Sequence, residues 1–404
     1  MLQDQAALDA KIPVTLVAEE RQERRPARLL NRGQYDDPGQ EVQPGTPGLL
    51  PPLIIAAPVE ASAGAEKMAP RASRLDLARW LFREDHPLTA RVHVNRLWQM
   101  LFGTGLVRTA GDFGAQGEWP SHPALLDWLA LEFQRADWDQ HALIRMMVTS
   151  ATYMQDSTWD PAKAEVDSEN RLLARGPRFR LDAEVIRDSA LASSGLLVNK
   201  VGGPSVKPYQ PDGLWKAVGY TSSNTAKFAV DKGDDLYRRS LYTFWKRTSP
   251  PPTMSLFDAP TRESCIVQRE RTNTPLQALA LWNDVQYVEA ARMLAAEMMS
   301  VGTQKKPKSE HDPGASIREG TFERGLRFAY QRVLARDPEA KEVEVLRNLL
   351  LRQIEVFAAD TEGAKQLMMV GEASFNSDFP VVELAAWTSV ASVILNLDET
   401  VTRR

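Results

Sequence analysis

The sequence predicts a mainly α protein: a helical bundle with a small β or irregular insertion in its middle and an extended segment at its N-terminus. Three observations predict it. Apolar residues recur at helical spacing through most of residues 73–200 and 271–404. Residues 38–70 hold seven prolines and four glycines, which interrupt both helix and sheet. The composition is that of a globular chain, 404 residues with 43% hydrophobic and 25% charged content, enough for a large core or two to three domains. Residues 1–72 accordingly read as an extended connector or the tail of a missing upstream domain. Residues 73–404 read as a helix-rich domain in three parts: 73–200 helical, 201–270 irregular with short strands, and 271–404 helical.

The elements follow in order. Val14-Thr15-Leu16-Val17 is strand-like with no hairpin partner nearby, so the chain is expected to continue a longer protein. The first five residues lack a basic and then apolar leader, and no run of about 18 apolar residues occurs, so no export signal or transmembrane segment is expected on the chain as written. Ser73 stands as an N-cap with Asp76 three positions on, ahead of Leu77, Trp80 and Leu81 on one face. A second helix covers 89–102 and stops at Gly103 and Gly105. Ser121-His122-Pro123 opens a third, with Leu125, Leu126, Leu129 and Phe133 at helical spacing. A fourth is expected over 140–153, striped by Leu143, Ile144, Met147, Val148 and Ala151, and a fifth over 182–197, before Gly202-Gly203-Pro204. The chain then turns irregular through Tyr209, Trp215 and Tyr220. The aromatic run Ser240-Leu241-Tyr242-Thr243-Phe244-Trp245 reads as a short strand. Helical period returns over 275–299, an exposed loop is expected over 303–313, and helices over 316–335, 339–357 and 382–397 close the chain.

Charge and cysteine content narrow the chemistry. With 49 basic and 53 acidic residues the formal charge is -4, without the basic excess of a phosphate-tracking protein, so a nucleic acid partner is not expected. Cys265 is the only cysteine, which excludes an internal disulfide and any CxxC site and reads as a small buried hydrophobe. The glycine-rich stretches 103–107 and 111–117 lack the strand-turn-helix setting of a phosphate cradle and read as turns. No serine stands in a Gly-x-Ser-x-Gly elbow.

The polar candidates centre on the segment from His86 to Trp98. Arg91, His93, Asn95 and Arg96 point in several directions around an otherwise apolar helix, so one or two should be buried with partners. They either line a cleft or form a structural network in which Arg91 or Arg96 pairs with a carboxylate such as Asp112 or Glu184. Glu184 and Asp188 lie four apart with Arg187 between them, the pattern of a salt-linked helix face or of a carboxylate pair for acid and base steps on a glycoside. The full candidate cluster is Arg91, His93, Asn95, Arg96, Asp112, His122, Glu184, Arg187 and Asp188. His86, His93, His122 and Asp112 are weak metal candidates, since none of their spacings is a recognised ligand pair.

An ordered series of segments carries a resemblance. It includes Ala90-Arg91-Val92-His93-Val94-Asn95-Arg96-Leu97-Trp98, Leu101-Phe102-Gly103-Thr104-Gly105-Leu106-Val107, Asp112-Phe113-Gly114 and Ser121-His122-Pro123-Ala124-Leu125-Leu126-Asp127-Trp128-Leu129-Ala130. It continues through Asn170-Arg171-Leu172-Leu173, Arg180-Leu181-Asp182-Ala183-Glu184-Val185-Ile186-Arg187-Asp188, Arg238-Arg239-Ser240-Leu241-Tyr242, Phe257-Asp258-Ala259-Pro260 and Arg271-Thr272-Asn273-Thr274-Pro275-Leu276-Gln277-Ala278-Leu279. Together these resemble the planctomycete secreted domain of unknown function that follows cytochrome c-like modules. The resemblance implies an extracytoplasmic helical domain, no cofactor on this chain, and haem c only on an upstream domain. It supplies no catalytic residues. From it follow two expectations: a module that docks to a cytochrome c-like domain or a separate partner protein, with a link to polysaccharide use, or a carbohydrate-active or metal-dependent enzyme built on the polar cluster.

Overall fold

The computed structural model describes residues 8–9, 12, 14–17, 25–55, 72–218, 222, 225–303, 320–374 and 379–403. Among these it is mainly α, with fifteen α-helices and four short strands. The chain divides into two units, Met1–Ala90 and Arg91–Arg404. No helix among the described residues is long and apolar enough to cross a membrane.

In the first unit, β1 (Ala27–Leu30) and β2 (Pro38–Val42) form an antiparallel ribbon with Ala27 opposite Val42 and Arg28 opposite Glu41. Pairing therefore begins inside the proline-rich stretch, contrary to expectation. Pro38 is tolerated because it is the first residue of its strand, where no ladder N–H is required. Residues 14–17 are exposed and form no strand, which corrects that expectation, and residues 56–70 of the connector lie outside the described residues. Helix α1 (Arg74–Leu81) starts as anticipated: the Ser73 hydroxyl accepts from Asp76 N at 3.2 Å and the Asp76 carboxylate accepts from Ser73 N at 2.8 Å. Buried Trp80 donates its indole N–H to Pro51 O at 2.6 Å and meets the His86 ring edge-on at 4.4 Å. His86 Nδ1 accepts the backbone N–H groups of Leu88 (3.3 Å) and Thr89 (3.2 Å), so it caps the start of α2 (Thr89–Phe102) as a neutral ring.

In the second unit, α3 (Pro123–Arg135) follows with proline in its first turn, and α4 (Gln140–Val148) is capped by the Asp139 carboxylate on His141 N at 2.8 Å. Helix α4 ends before residue 153. The Thr149 and Ser150 hydroxyls donate back to the carbonyls of Arg145 and Met147 at 2.8 and 2.7 Å, and the next residues become turns. Short α5 (Pro161–Val166) precedes β3 (Phe179–Arg180), and α6 (Ala183–Ser193) ends four residues before the expected 197. The irregular part holds α7 (Leu214–Val218) and α8 (Pro252–Leu256). The expected strand over 240–245 is instead a 3-10 turn at Ser240–Tyr242. Its ladder N–H is taken: Ser240 N donates to Asp188 at 2.8 Å, leaving a single bridge between Val206 and Thr243. Tyr220 and residues 304–319, with most of the expected exposed loop, lie outside the described residues.

The C-terminal half supplies the core. The helical period over 275–299 is two helices, α9 (Pro275–Asn283) and α10 (Val285–Thr303), broken at Asp284, whose extended backbone lets its carboxylate accept from Gln286 N at 3.0 Å. Then come α11 (Thr321–Leu334), α12 (Ala340–Ala359), the unanticipated α13 (Thr361–Met368), α14 (Val381–Leu395) and α15 (Asp398–Val401). Helices α10 and α14 run through the centre, with alanines 290, 291, 295, 385, 386 and 391 fully buried. Such small side chains let two helices approach closely, and α14 is apolar all round because it is enclosed on all sides. After α15 the chain returns to pair β4 (Thr402–Arg403) antiparallel with β3.

A candidate anion-binding cleft

A cleft in the second unit, about 830 Å³, falls in the usual size range of ligand sites. It opens where α2 ends. Gly103, at φ +83°, terminates the helix in the left-handed region, and a Cβ there would stand 2.7 Å from the Phe179 ring, so both backbone and space require glycine. The turn it starts presents two carbonyls. Gly103 O accepts from Arg271 at 3.1 Å and Gly105 O from Arg171 at 3.3 Å. The Arg271 guanidinium also lies over Phe179, 4.3 Å from the ring centre.

The loop before β3 holds its own shape. Buried Asp167 accepts the backbone N–H groups of Arg171 and Leu172, each at 2.7 Å, while the Asn170 side chain donates to Arg175 O at 2.9 Å. Arg175 donates to Asp167 O and Ser168 O at 3.1 and 2.8 Å, and lies over the Trp159 indole at 5.2 Å. Trp159 is 61% exposed. Leu173, in the cleft wall, sits at φ +59°, a conformation that a leucine adopts only when its surroundings impose it.

Five arginines line this cleft, and they differ in how their charge is met. Arg178 pairs with Asp398 at 2.7 Å. Arg269 pairs with Glu184 at 2.6 Å and Asp182 at 3.6 Å. Burial alone would raise the Glu184 carboxyl, but the Arg269 hydrogen bond and charge outweigh it and hold Glu184 below the usual carboxylate range. Arg271 reaches Asp182 only at 3.9 Å, and its buried Nε has no hydrogen-bond partner. Arg171 and Arg175 are held by carbonyls and have no carboxylate within 4.0 Å among the described residues. Of the two lining carboxylates, Glu169 is paired with Arg108 at 2.8 Å and Glu270 has no ion pair among the described residues. Arg171 and Arg175 are thus fixed in place without an ion pair of their own, beside an exposed aromatic face.

The polar residues singled out from the sequence do not share one pocket, and none of them lines this cleft. Arg91 pairs with Asp127 at 2.7 Å, not with Asp112 or Glu184. Asn95 is fully buried and ties Val107 through both backbone groups, at 2.9 and 2.8 Å. Arg96 is exposed. Asp112 accepts from Gly114 N at 2.7 Å in a local turn, and His122 contacts the Ser121 hydroxyl at 3.0 Å. Arg187 is buried among carbonyls, and Asp188 holds Ser240. Glu184 alone reaches the cleft, through Arg269. Cys265, expected to be buried, is exposed. No group of three His, Cys, Asp or Glu side chains converges on a metal position among the described residues.

His93 stacks on Phe133 at 5.1 Å, and its Nε2 is buried without a hydrogen-bond partner. Burial, and secondarily the charge of Arg96, pushes its pKa below the usual imidazole value, and burial does the same to His86. The folded chain thus binds fewer protons than the unfolded one in mild acid. The stability these neutral rings contribute is complete above the unfolded value of about 6.5 and is lost as pH falls from there through the folded pKa. We expect the melting temperature to drop between about pH 7 and pH 5, less so in His93→Gln. An identical acid slope in both chains would refute the assignment for His93.

The signal for the cleft was present in the sequence as three arginines, at 171, 175 and 178, with no acidic residue from 170 to 181. The model of a family described as protein of unknown function, DUF1553, matches residues 73–350. The chain belongs to the DUF1553 family. All residues lining the cleft of this DUF1553 protein fall within the matched span, whereas α14, α15 and β4 lie beyond it. No curated protein and no solved structure matches the chain.

Proposed function

We propose that the protein is a binding module for an anionic saccharide chain, a sulfated or uronate-bearing polysaccharide, held in this cleft. One observation carries the reading: Arg171 and Arg175 are fixed by backbone carbonyls instead of carboxylates, next to the exposed Trp159. Burying or fixing a guanidinium normally recruits a carboxylate, so two that lack one in a chain of net charge -4 are positioned for an anion from outside. The indole offers an apolar face to a sugar ring. A uniformly charged nucleic acid is disfavoured by the acidic balance of the rest of the chain. Binding fits better than acid and base hydrolysis, which needs two free carboxylates, because Glu169 is already paired.

The test is titration with dextran sulfate, neutral dextran and single-stranded DNA at low and high salt. Dextran sulfate alone is expected to bind, more weakly at high salt. Arg171→Gln with Arg175→Gln is expected to lower affinity about 10- to 100-fold, as for loss of a charge-assisted hydrogen bond, while lysine at both positions retains part of it. Equal affinity for DNA would give the cleft to a nucleic acid, and absence of binding to any polyanion would end the reading.

A second reading concerns location and company. Leu276, Leu279 and Trp282 leave an apolar stripe exposed along α9. Together with the resemblance to the planctomycete domain, this supports an extracytoplasmic module that docks to a haem-bearing cytochrome c-like domain. Co-purification with such a domain should be lost in Leu279→Glu, and an unchanged complex would remove α9 as the docking face.

A further inference from the structure

Residues 109–121 form a turn fastened at every few residues that carries a large apolar side chain into solvent. The Thr109 hydroxyl donates to Asp112 O and accepts from Glu118 N, both at 2.9 Å. Asp112 N donates to Thr109 O at 2.8 Å, Gly114 N to the Asp112 carboxylate at 2.7 Å, and Gly117 N to Gly114 O at 3.1 Å. A Cβ at Gly117 would stand 2.2 Å from Asp112 O, so the turn closes only with glycine there. Its base is tied to the core through buried Leu106, Val107 and Ala110 and through Ser121 N, which donates to Leu106 O at 2.9 Å.

On this fixed turn Trp119 is 89% exposed. Folding buries little of the ring. Pro120 follows it and restricts the backbone at that point. Two residues further on, Ser121 lines the arginine cleft, as does Leu106, to which Ser121 is bonded. Adjacent Cα atoms are about 3.8 Å apart, so the Trp119 Cα lies within about 7.6 Å of a cleft residue. Trp119 itself is outside the lining. An exposed indole carried by a fastened turn next to a cationic cleft is suited to stack on a ring of a ligand that continues past the cleft.

We propose that Trp119 is an outer stacking subsite for a sugar unit of the chain held in the cleft, so that the ligand is a polymer or long oligomer and not a free anion or single sugar. This rests on the saccharide reading of the cleft, and the experiment separates the two. The full chain and its Trp119→Ala and Trp119→Phe variants are titrated calorimetrically with dextran sulfate and with a sulfated disaccharide too short to leave the cleft. The alanine variant is expected to bind dextran sulfate about 2- to 10-fold more weakly, the scale of one aromatic contact, and the disaccharide unchanged; the phenylalanine variant restores most of the loss. Exposure of the ring predicts an unchanged melting temperature in both variants. Unchanged polymer binding in Trp119→Ala overturns the subsite while leaving the cleft reading intact. Equal loss for both probes also overturns it, since Trp119 would then act inside the cleft. Failure of the unsubstituted chain to bind either probe removes the cleft reading and the subsite together.

Discussion

Arg187→Leu is expected to cost about 3–5 kcal/mol of folding stability, the scale for breaking a buried, fully bonded charged group. Arg187 is 2% exposed. Its guanidinium donates to Leu236 O at 2.7 Å, Arg238 O at 2.9 Å, the Ser240 hydroxyl at 3.2 Å and the Gln286 side chain. One side chain on α6 thereby satisfies two carbonyls of the irregular segment and fixes it against α10. Leucine fills part of the space but leaves those acceptors buried without donors, at about 1–3 kcal/mol each before relaxation. Asp188 would also lose one of its two nearby positive charges, 3.7 Å away, and keep Arg239 at 3.9 Å. Burial already pulls the Arg187 guanidinium below its usual pKa, so the site tolerates the charge only because every acceptor is in place. Urea denaturation of Arg187→Leu and Arg187→Lys checks this. Wild-type stability with lost ligand binding would instead make Arg187 a binding residue.

Arg187 also shows how far a sequence carries. Its place on a helix with Glu184 and Asp188 is local information, and the helix formed, as did α1 with its Ser73 and Asp76 capping box. What the charges do is not local. Arg187 meets residues 49 to 99 positions away, and Glu184 meets Arg269 across 85 positions. The same holds for the cleft: Gly105 joins Arg171 and Gly103 joins Arg271 across 66 and 168 positions by single hydrogen bonds to carbonyls, which leave no periodicity to read. Aromatic richness misled at 240–245 because β propensity reflects available pairing, and Asp188 had already taken the Ser240 N–H. The break at Asp284 is legible only in hindsight, since an aspartate is compatible with a helix until its carboxylate finds the N–H two residues on.

Truncation after Leu397 is expected to cost about 2–4 kcal/mol, from one buried valine and the ion pairs lost with it, and to weaken dextran sulfate binding about tenfold. None of the residues removed lines the cleft. Val401 is buried in the core, and its carbonyl accepts from Leu181 N at 3.0 Å. Thr402 and Arg403 pair with Arg180 and Phe179, Asp398 holds Arg178, and Glu399 holds Arg336 at 2.6 Å. Arg178 and Phe179 are cleft wall, and Phe179 is the ring between the Gly103 turn and the Arg271 guanidinium. Without β4 this wall keeps its residues but loses the strand that fixes their direction, so ligand would have to order it on binding. A Val401→Ala chain separates the two effects: it should melt lower yet bind nearly as well, because the β3–β4 ladder is backbone. If the truncated chain also melts lower and binds normally, the tail stabilises the core without shaping the cleft. A tenfold loss confined to the truncation would mean that a site lying wholly within residues 73–350 is completed by a strand from outside them.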